Sequence, residues 1–318
     1  MALLEVRDLE TVFALNGRRV HAVDHVSFSL DAGRVLGLVG ESGCGKSMTA
    51  LSLMRLVPPP GHIAGGRVLL DGQDLLALPE RRMRELRGAG LAMVFQEPMT
   101  ALNPVFTVGS QIAEALRLHR RMGRGEAWER ATALLTEVGI PEPARRAHDY
   151  PHQLSGGMRQ RVMIAMAISC EPRVLIADEP TTALDVTIQA EILELLRELR
   201  ERHGMALLLI THDLGVVAEQ ADEVAIMYAG RIVEQAPVTE VFDRPLHPYT
   251  QALLRSMPGV AGDRGRLEPV PGTVPDLLHL PSGCAFRDRC PLAIEACAAA
   301  VPPLEEKAAG HRAACIRV

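Results

Sequence analysis

A glycine-rich stretch from Gly40 to Ser47, which reads GESGCGKS, carries the clearest chemical pattern of the chain. It matches G-x-x-x-x-G-K-[ST] and lies between an apolar run, RVLGLVG, and a helical pattern, KSMTALSLMRL. Glycines let backbone N–H groups close around phosphate oxygens, and the start of a helix adds positive partial charge. An ordinary glycine-rich turn is the alternative. The context favours a phosphate-binding loop in which Lys46 reaches the β- and γ-phosphates and Ser47 ligates Mg2+.

Two carboxylates, Asp178 and Glu179, end a second apolar run, RVLIADEP. Read alone, an acidic pair at the end of a strand is most often just solvated. In a protein with a phosphate loop, the first carboxylate can hold magnesium through water and the second can polarise the attacking water. We therefore expect Asp178 to bind magnesium and Glu179 to act as the general base.

The elements that must position these residues alternate between strands and helices. Residues 2–39 have strand patterns with a hairpin signal at Asn16-Gly17, and residues 105–150 are helical and charged. From residue 154 onward, apolar strands and helices alternate again. This order predicts an α/β fold with a parallel core and a helical insertion. Prolines at 269, 271, 275 and 281 then predict an extended arm.

The composition restricts the partners and the compartment. Against 39 acidic residues there are 34 basic ones, so the net charge of -5 gives no electrostatic reason to expect nucleic acid as a partner. The N-terminal sequence MALLEVRDLE does not have the pattern of a secretory signal, and no apolar run approaches the roughly 20 residues of a membrane-spanning helix. We therefore expect a cytosolic chain whose thiols are kept reduced.

The string LSGGMRQR, Leu154 to Arg161, resembles the signature of the nucleotide-binding subunits of ABC transporters. The resemblance extends over about residues 3–258 and includes further motifs in the same order. Phe13 matches the aromatic residue that stacks on adenine, and Gln96 in MVFQEP matches the Q-loop. Asp185 in ALD matches the D-loop, and His212 in LLLITHD matches the switch histidine. Each of these motifs alone is weak, but together with the phosphate loop and the acidic pair, in this one order, they indicate this family.

The resemblance implies that the signature faces the γ-phosphate held by a second subunit. Ser155, Gly156 and Gly157 begin a helix, so their N–H groups and the serine hydroxyl are available to an anion. Met158 stands where most of these signatures have glutamine. The backbone donors and Ser155 are unaffected by that departure. We therefore expect two ATP molecules to be held between two ATPase domains, with hydrolysis supported by this chain's own phosphate loop.

The site residues implied by the pattern and the resemblance fall into three groups. The catalytic residues are Glu179, His212 and Gln96. The magnesium ligands are Ser47, Gln96 and Asp178. The residues that bind ATP are Phe13, Gly40, Glu41, Ser42, Gly43, Cys44, Gly45, Lys46, Ser47, Met48, Asp178, Ser155, Gly156, Gly157 and Asp185.

The resemblance also implies the architecture. It is a P-loop ABC-type nucleotide-binding domain with a mixed sheet core, an N-terminal antiparallel β subdomain and a helical insertion over about 97–153. We place this ATPase domain at 1–260. Residues 261–318 are expected to form the proline-rich arm and a small cysteine-rich C-terminal module.

Several strings are similar to the D-type ATPase subunits of oligopeptide and dipeptide importers. They are EPMTALNPVF, HPYTQALL at 247–254 and the ending GCAF..RC. This resemblance implies a heterodimer with a second ABC ATPase subunit, peripheral on the cytoplasmic face of the inner membrane. Two membrane permeases and an extracytoplasmic substrate-binding protein would complete the translocase, and the helical insertion would receive the permeases.

Other functions stay open at this stage. Nickel and glutathione importers share nearly all of these strings, and no residue of an ATPase subunit contacts the cargo. A soluble ABC ATPase of DNA repair or translation is disfavoured, because the chain has one cassette and no long coiled coil between loop and signature. A non-hydrolytic scaffold is disfavoured because Lys46, Asp178, Glu179 and His212 are all present. The sequence therefore favours a transport ATPase.

Four of the six cysteines, Cys284, Cys290, Cys297 and Cys315, lie in the C-terminal tail. Disulfides are disfavoured in a reducing compartment, whereas four thiolates can hold zinc or an iron–sulfur cluster. Zinc sites usually contain a close C-x2–4-C pair, which this tail does not have. The resemblance to D-type subunits favours a 4Fe-4S cluster. Zinc, with His311 as a possible ligand, and simple packing of free thiols remain the alternatives.

Overall fold

The structure is a computed structural model that describes residues 2–15, 17–182, 184–257 and 270–318. Three of the predictions fall partly outside these residues: the turn residue Asn16, the first residue of the ALD string, and the arm up to Pro269 with the boundary at 260/261. Among the described helices, none is long and apolar enough to cross a membrane.

The strands and helices follow one another in the order expected of an α/β chain. The strands are β1 (Leu4–Leu15), β2 (Arg18–Leu30), β3 (Val35–Val39), β4 (Gly61–Leu70), β5 (Gln73–Asp74), β6 (Leu91–Val94), β7 (Val174–Asp178), β8 (Ala206–Thr211), β9 (Glu223–Tyr228), β10 (Arg231–Pro237), β11 (Glu305–Ala308) and β12 (His311–Ala313). The helices are α1 (Lys46–Leu53), α2 (Glu80–Leu86), α3 (Pro98–Ala101), α4 (Val108–His119), α5 (Arg124–Glu137), α6 (Pro143–Arg146), α7 (Gly156–Ile168), α8 (Val186–His203), α9 (Leu214–Gln220), α10 (Val238–Asp243) and α11 (Pro248–Arg255). Short 3-10 helices cover Pro151–Gln153, Arg287–Arg289 and Glu295–Ala298.

The chain divides into two compact units, which are described separately. The first comprises Met1–Leu30, Val35–Leu76 and Leu209–Val318, and the second comprises Asp31–Arg34 and Ala77–Leu208. The predicted phosphate loop therefore belongs to the first unit, together with the C-terminal tail. The predicted acidic pair and signature belong to the second.

The first unit contains an antiparallel sheet with the strand order β2-β1-β4-β5. It also contains a run of strands in the order β11-β12-β10-β9-β3. In that run β3 and β9 are parallel, while β9, β10, β12 and β11 pair antiparallel in turn. The predicted antiparallel N-terminal subdomain and the mixed sheet are thereby confirmed.

Helix α9 covers the buried strand β3 in this unit. Asp213 caps the helix by accepting hydrogen bonds from the N–H groups of Gly215 and Val216. Gly37, on the strand, faces Val217 so closely that a Cβ atom there would lie 2.7 Å from a Val217 methyl carbon. The absence of a side chain at residue 37 thus lets the helix approach the strand that leads to the phosphate loop.

The second unit contains the parallel pair β6 and β7 and the helices from α2 to α8. All residues of β6 and β7 are buried, as expected for strands covered on both faces. Thr107 caps α4 by accepting from the Ser110 N–H, and Ser155 caps α7 by accepting from the Met158 N–H. The long helix α8 ends at Gly204, which has a left-handed φ of 62°.

The C-terminal tail packs against the core of the first unit. Phe286 is only 1% exposed, and its ring centroid lies 5.3 Å from those of both Tyr228 and Tyr249. The tail thus shares a core with the strands and helices that precede it.

A buried pair fixes the end of the tail to the sheet. His311 Nε2 lies 2.7 Å from Glu234 Oε1, and these side chains are 3% and 0% exposed. The same carboxylate accepts hydrogen bonds from the N–H groups of Leu246 and His247. Each oxygen of a fully buried carboxylate is thus satisfied, as burial of a charge requires. The Nε2 atom of His311, considered above as a metal ligand, is engaged by Glu234.

Candidate nucleotide-binding site

The phosphate loop joins β3 to α1 in the first unit, and two of its glycines admit no other residue. A Cβ atom on Gly40 would lie 2.2 Å from the Met227 carbonyl oxygen. Gly45 has a φ of 110°, and a Cβ atom there would lie 2.3 Å from the Ala22 carbonyl oxygen. Both the left-handed backbone and the close approach require glycine. The spacing of the sequence motif therefore reflects the packing of the loop against the strands around it.

Lys46 folds its side chain into this loop. The residue is 4% exposed, and its Nζ donates to the carbonyl oxygens of Gly40 at 2.7 Å and Glu41 at 3.2 Å. No side chain caps the N-terminus of α1 at Gly45. A buried ammonium and the positive end of a helix thus lie in one loop, an arrangement suited to a polyphosphate.

Cys44 is a structural residue of the same loop. It is fully buried, and its carbonyl oxygen accepts a hydrogen bond from the Gly230 N–H at 2.8 Å. Burial raises the pKa of the Cys44 thiol, although the nearby Lys46 charge opposes the shift. A neutral, buried thiol is a poor nucleophile and a poor metal ligand.

Phe13 and His212 also belong to the first unit. Phe13 lies on β1 opposite Gly61, and its ring is partly exposed. A Cβ atom on Gly61 would lie only 2.6 Å from carbon atoms of this ring. The ring therefore packs closely against the Gly61 backbone. His212 follows β8 directly and is exposed, between the buried Thr211 and the helix cap Asp213.

In the second unit, the acidic pair lies where β7 ends. Asp178 is 3% exposed and Glu179 is 9% exposed. Glu179 has a left-handed φ of 45°, which is uncommon for a residue with a side chain and typical of strained functional positions. The Glu179 carboxylate accepts hydrogen bonds from Gln96 Nε2 at 2.9 Å and from Thr182 Oγ1 at 2.8 Å.

The contact between Gln96 and Glu179 follows from the pairing of the two parallel strands. Val94, the last residue of β6, pairs with Ala177 near the end of β7. Both strands therefore end at the same edge, and the residues that follow them meet there. Sequence analysis predicted both residues as catalytic, and the structure places them in direct contact.

The signature begins helix α7 in the same unit. Ser155 and Gly156 are exposed, and the Ser155 hydroxyl accepts from the Met158 N–H at 3.3 Å. A Cβ atom on Gly157 would lie 2.9 Å from a methyl carbon of Ile188 on α8. Asp185 is the residue before α8 and its side chain does not cap that helix.

A cleft of about 300 Å3 lies between the Q-loop and the signature in the second unit. Its lining includes Gln96, Met99, Gly156 and Gln160. Nearby on the same unit, three apolar side chains are well exposed: Met99 at 59%, Val105 at 70% and Phe106 at 54%. Exposed apolar groups concentrated in one short segment are typical of an interaction surface.

All four tail cysteines are free thiols in the first unit. Burial raises the pKa of the Cys284 thiol, and charges on Cys297, Cys315 and Cys290 would raise it further, so the four lie near one another. Yet among the described residues no three of these sulfurs lie within 4.8 Å of one another. Four sulfurs around one tetrahedral zinc would be roughly 3.8 Å apart, given Zn–S bonds of about 2.3 Å. The thiols thus form a loose group of soft donors.

Sequence reasoning missed two residues that contact the phosphate loop, Tyr249 and Arg289. The Tyr249 hydroxyl accepts a hydrogen bond from the Glu41 N–H at 2.9 Å, and the Arg289 guanidinium pairs with the Glu41 carboxylate at 2.7 Å. Tyr249 belongs to the HPYTQALL string, where its only local signal was an aromatic residue after a proline.

Comparisons with known proteins agree with this geometry. The family model of the ABC transporter matches residues 23–182, and the model of the oligopeptide/dipeptide transporter C-terminal region matches residues 233–297. A solved dimeric ATP-binding cassette, in a post-hydrolysis state bound to ADP and Pi, matches with a TM-score of 0.67 and 26% identity. That match covers 74% of this chain and 98% of the cassette.

Two relatives match nearly the whole chain. The probable peptide ABC transporter ATP-binding protein of Sinorhizobium fredii is 56% identical, over 99% of this chain and 95% of its own length. The dipeptide transport ATP-binding protein DppD of Escherichia coli is 51% identical, over 99% of this chain and 96% of its own length. The fold and the site thus define an ABC-type ATPase, for which ATP and Mg2+ are the expected ligands. The chain belongs to the ABC transporter family, among the ATP-binding subunits of the oligopeptide/dipeptide transporters.

Proposed function

We propose that this chain is the ATP-hydrolysing subunit that energises import of oligopeptides or dipeptides across the cytoplasmic membrane. The observation that carries the chemistry is the Glu179 carboxylate at the end of β7, nearly buried and hydrogen-bonded to Gln96. The names of the two relatives, both peptide transport proteins, support the cargo class. Nickel and glutathione remain the alternative cargoes, and a soluble ABC ATPase is the alternative class.

The predicted site residues then serve to bind ATP, to hold magnesium and to hydrolyse the nucleotide, and some of them have more than one role. Lys46 would hold the β- and γ-phosphates, and Ser47, Asp178 and Gln96 would hold magnesium. Glu179 orients the attacking water and accepts its proton, while His212 stabilises charge that develops on the γ-phosphate. The remaining loop residues, from Gly40 to Met48, contribute mainly backbone N–H groups, and Phe13 stacks on the adenine.

The signature residues act on the ATP of a second subunit. Ser155, Gly156 and Gly157 start a helix and are exposed or partly exposed, so the positive end of α7 is open to an anion. Met158 contributes only its backbone N–H to the helix cap, which supports the view that methionine can replace the usual glutamine at this position. Asp185 belongs to the same interface. We propose a heterodimer whose closure requires ATP, because the γ-phosphate is what the opposite signature contacts.

The exposed apolar segment supports the remaining partners. We assign residues 1–260 to the ATPase domain, and residues 97–153 to the part that receives two membrane permeases. The exposed Met99, Val105 and Phe106 support this assignment, since a partner would cover them. The chain would then lie peripherally on the cytoplasmic face of the membrane, and an extracytoplasmic protein would deliver the substrate.

Reconstitution tests the transport function. Proteoliposomes that contain this chain, the second ATPase, both permeases and the binding protein are expected to take up labelled dipeptide only when ATP is present. The variant Lys46→Ala should abolish uptake, since nothing else in the loop carries positive charge to the phosphates. Excess glutathione or nickel is added as a competitor of the labelled dipeptide, and uptake of each compound is measured in turn. Uptake of either one, without uptake of peptide, would replace the proposed cargo.

We further propose that residues 261–318 hold a 4Fe-4S cluster through Cys284, Cys290, Cys297 and Cys315. Four grouped thiols are the donor set of such a cluster, and among the described residues no three of the sulfurs lie within 4.8 Å of one another, which suits a polynuclear centre better than a single zinc ion. When bound, the group would supply a cross-link within the tail. The chain's own part is to present four thiolates from the turns around residues 284–297 and from residue 315.

Metal analysis tests the cluster. After anaerobic purification, the intact chain should contain about four iron and four sulfide per molecule and little zinc. Cys284→Ser should lower the iron content sharply. Cys170→Ser, a buried cysteine outside the tail, should leave it unchanged. Stoichiometric zinc without iron would assign zinc to the four thiols, and neither metal would remove ligation from the tail.

A further inference from the structure

Arg289 is a buried cation of the C-terminal tail whose guanidinium faces the phosphate loop. Its side chain is 5% exposed, and it pairs with the second loop residue, Glu41, through two parallel hydrogen bonds. Nη1 donates to Oε2 at 2.7 Å and Nη2 donates to Oε1 at 3.0 Å. A two-point contact between guanidinium and carboxylate is both stronger and more directional than a single ion pair.

The guanidinium is itself held in place from several sides. Nε donates to the Pro271 carbonyl oxygen at 2.7 Å, and Nη1 lies 3.4 Å from the Tyr228 hydroxyl. The rings of Tyr228 and Phe286 lie 5.8 Å from the guanidinium carbon. Because a carbonyl oxygen and two aromatic rings hold the guanidinium, its N–H groups point in one direction. Arg289 therefore fixes the position of the Glu41 carboxylate in addition to pairing with its charge.

Glu41 passes this constraint to the rest of the loop. While its carboxylate binds Arg289, its N–H donates to the Tyr249 hydroxyl at 2.9 Å. Its carbonyl oxygen accepts from Lys46 Nζ at 3.2 Å and from the Cys44 N–H at 3.3 Å. One residue thus contacts the tail, α11 and the Lys46 ammonium. The carboxylate that binds Arg289 and the carbonyl oxygen that binds Lys46 thus belong to the same residue.

The backbone turn that carries Arg289 lies next to two of the tail cysteines in the sequence. The 3-10 turn Arg287–Arg289 lies between Cys284 and Cys290 in the sequence. The Arg289 N–H donates to the Phe286 carbonyl oxygen at 3.0 Å, and the Cys290 N–H donates to that of Arg287 at 3.2 Å. The conformation of this turn therefore determines where the guanidinium lies.

We propose that Arg289 is a positioning residue for the phosphate loop, through which the C-terminal tail sets the affinity of the chain for ATP. It is not a catalytic residue, because it acts through Glu41. The proposal goes beyond the transport function and requires only that the chain bind ATP. The tail would then affect the affinity of the nucleotide site for ATP, in addition to packing against the core of the first unit.

Equilibrium binding of Mg-ATP to the full chain tests the proposal, below the unfolding temperature of every variant. Arg289→Gln is expected to raise the Kd about tenfold, which is about 1.4 kcal/mol. Glu41→Gln should raise it by a similar factor, and the double variant should add little, since both changes break one interaction. Arg289→Lys should be intermediate, because lysine keeps the charge without the fork.

The matched control is Arg287→Gln, which removes an arginine from the same turn. Arg287 bonds to Ser282 and Asp288 within the tail, so its loss should leave the Kd for ATP within about twofold of the wild-type value. In the complex, Arg289→Gln should raise the KM for ATP more than it lowers kcat.

A purely anchoring role for Arg289 predicts another result. In that case Arg289→Gln would lower the melting temperature and make the tail thiols react faster with a labelling reagent, while the Kd for ATP stayed at the wild-type value. That outcome would overturn the proposal. Failure of the wild-type chain to bind ATP would instead count against the nucleotide site itself, so the two failures are distinguishable.

Discussion

Glu179→Gln is expected to bind ATP normally and to hydrolyse it at least about 100-fold more slowly, since general-base catalysis contributes about 100- to 10,000-fold. The substitution keeps the size of the side chain and an oxygen that can accept the hydrogen bonds from Gln96 and Thr182. It removes the negative charge and, with it, the ability to accept a proton from water. Because ATP is bound but not cleaved, the variant should accumulate a closed dimer with its partner, measurable by size-exclusion chromatography.

Glu171→Gln is the matched control for this prediction. Glu171 lies in the same unit, shortly before β7, and its carboxylate pairs with Arg120 at the surface. Loss of an exposed ion pair should change turnover and stability very little. Turnover of Glu179→Gln at the rate of the wild-type complex would show that another group accepts the proton.

Phe286→Ala is expected to lower the free energy of unfolding by about 3–5 kcal/mol, the range for deletion of a buried aromatic side chain. The ring is 1% exposed and contacts both Tyr228 and Tyr249, so its removal leaves a cavity between tail and core. Urea denaturation of the full chain measures the change. Because Tyr249 bonds to the phosphate loop, a smaller loss of ATP affinity should accompany the loss of stability.

Phe106→Ala provides a control of the same chemistry. Phe106 is 54% exposed, so truncation should change the free energy of unfolding by less than about 0.5 kcal/mol. Equal effects of the two substitutions would mean that the tail does not share the core of the first unit. If Phe286→Ala changed the free energy of unfolding only slightly, the contact between the tail and the core would contribute little to stability.

The parts of the site that sequence analysis predicted are those fixed by local geometry. The phosphate loop is recognisable because its own backbone favours glycine, with φ of 81° at Gly43 and 110° at Gly45, and because the strand before it and the helix after it are adjacent in sequence. The cap at Ser155 is similarly local, since a hydroxyl before a helix accepts an N–H three residues later. The meeting of Gln96 and Glu179 follows once their strands are known to be parallel neighbours.

What the sequence did not predict depends on contacts between distant residues. Arg289 and Glu41 are 248 positions apart, and nothing in the string RDRC distinguishes Arg289 from Arg287. The pair β11 and β12 was also missed, because strands of four and three residues carry too short a pattern. Burial of Glu234 could not be foreseen either, since its partner His311 lies in the tail.

The hairpin of β11 and β12 also protects an edge of the first unit. Without it, β10, whose Ile232 and Val233 are buried, would present unpaired N–H and C=O groups to any passing strand. β12 pairs with β10, and the outermost strand, β11, is short, fully exposed and charged at Glu305, Glu306 and Lys307. Short charged edges resist pairing with other chains. The last residues of the tail thereby guard the protein against aggregation through its sheet.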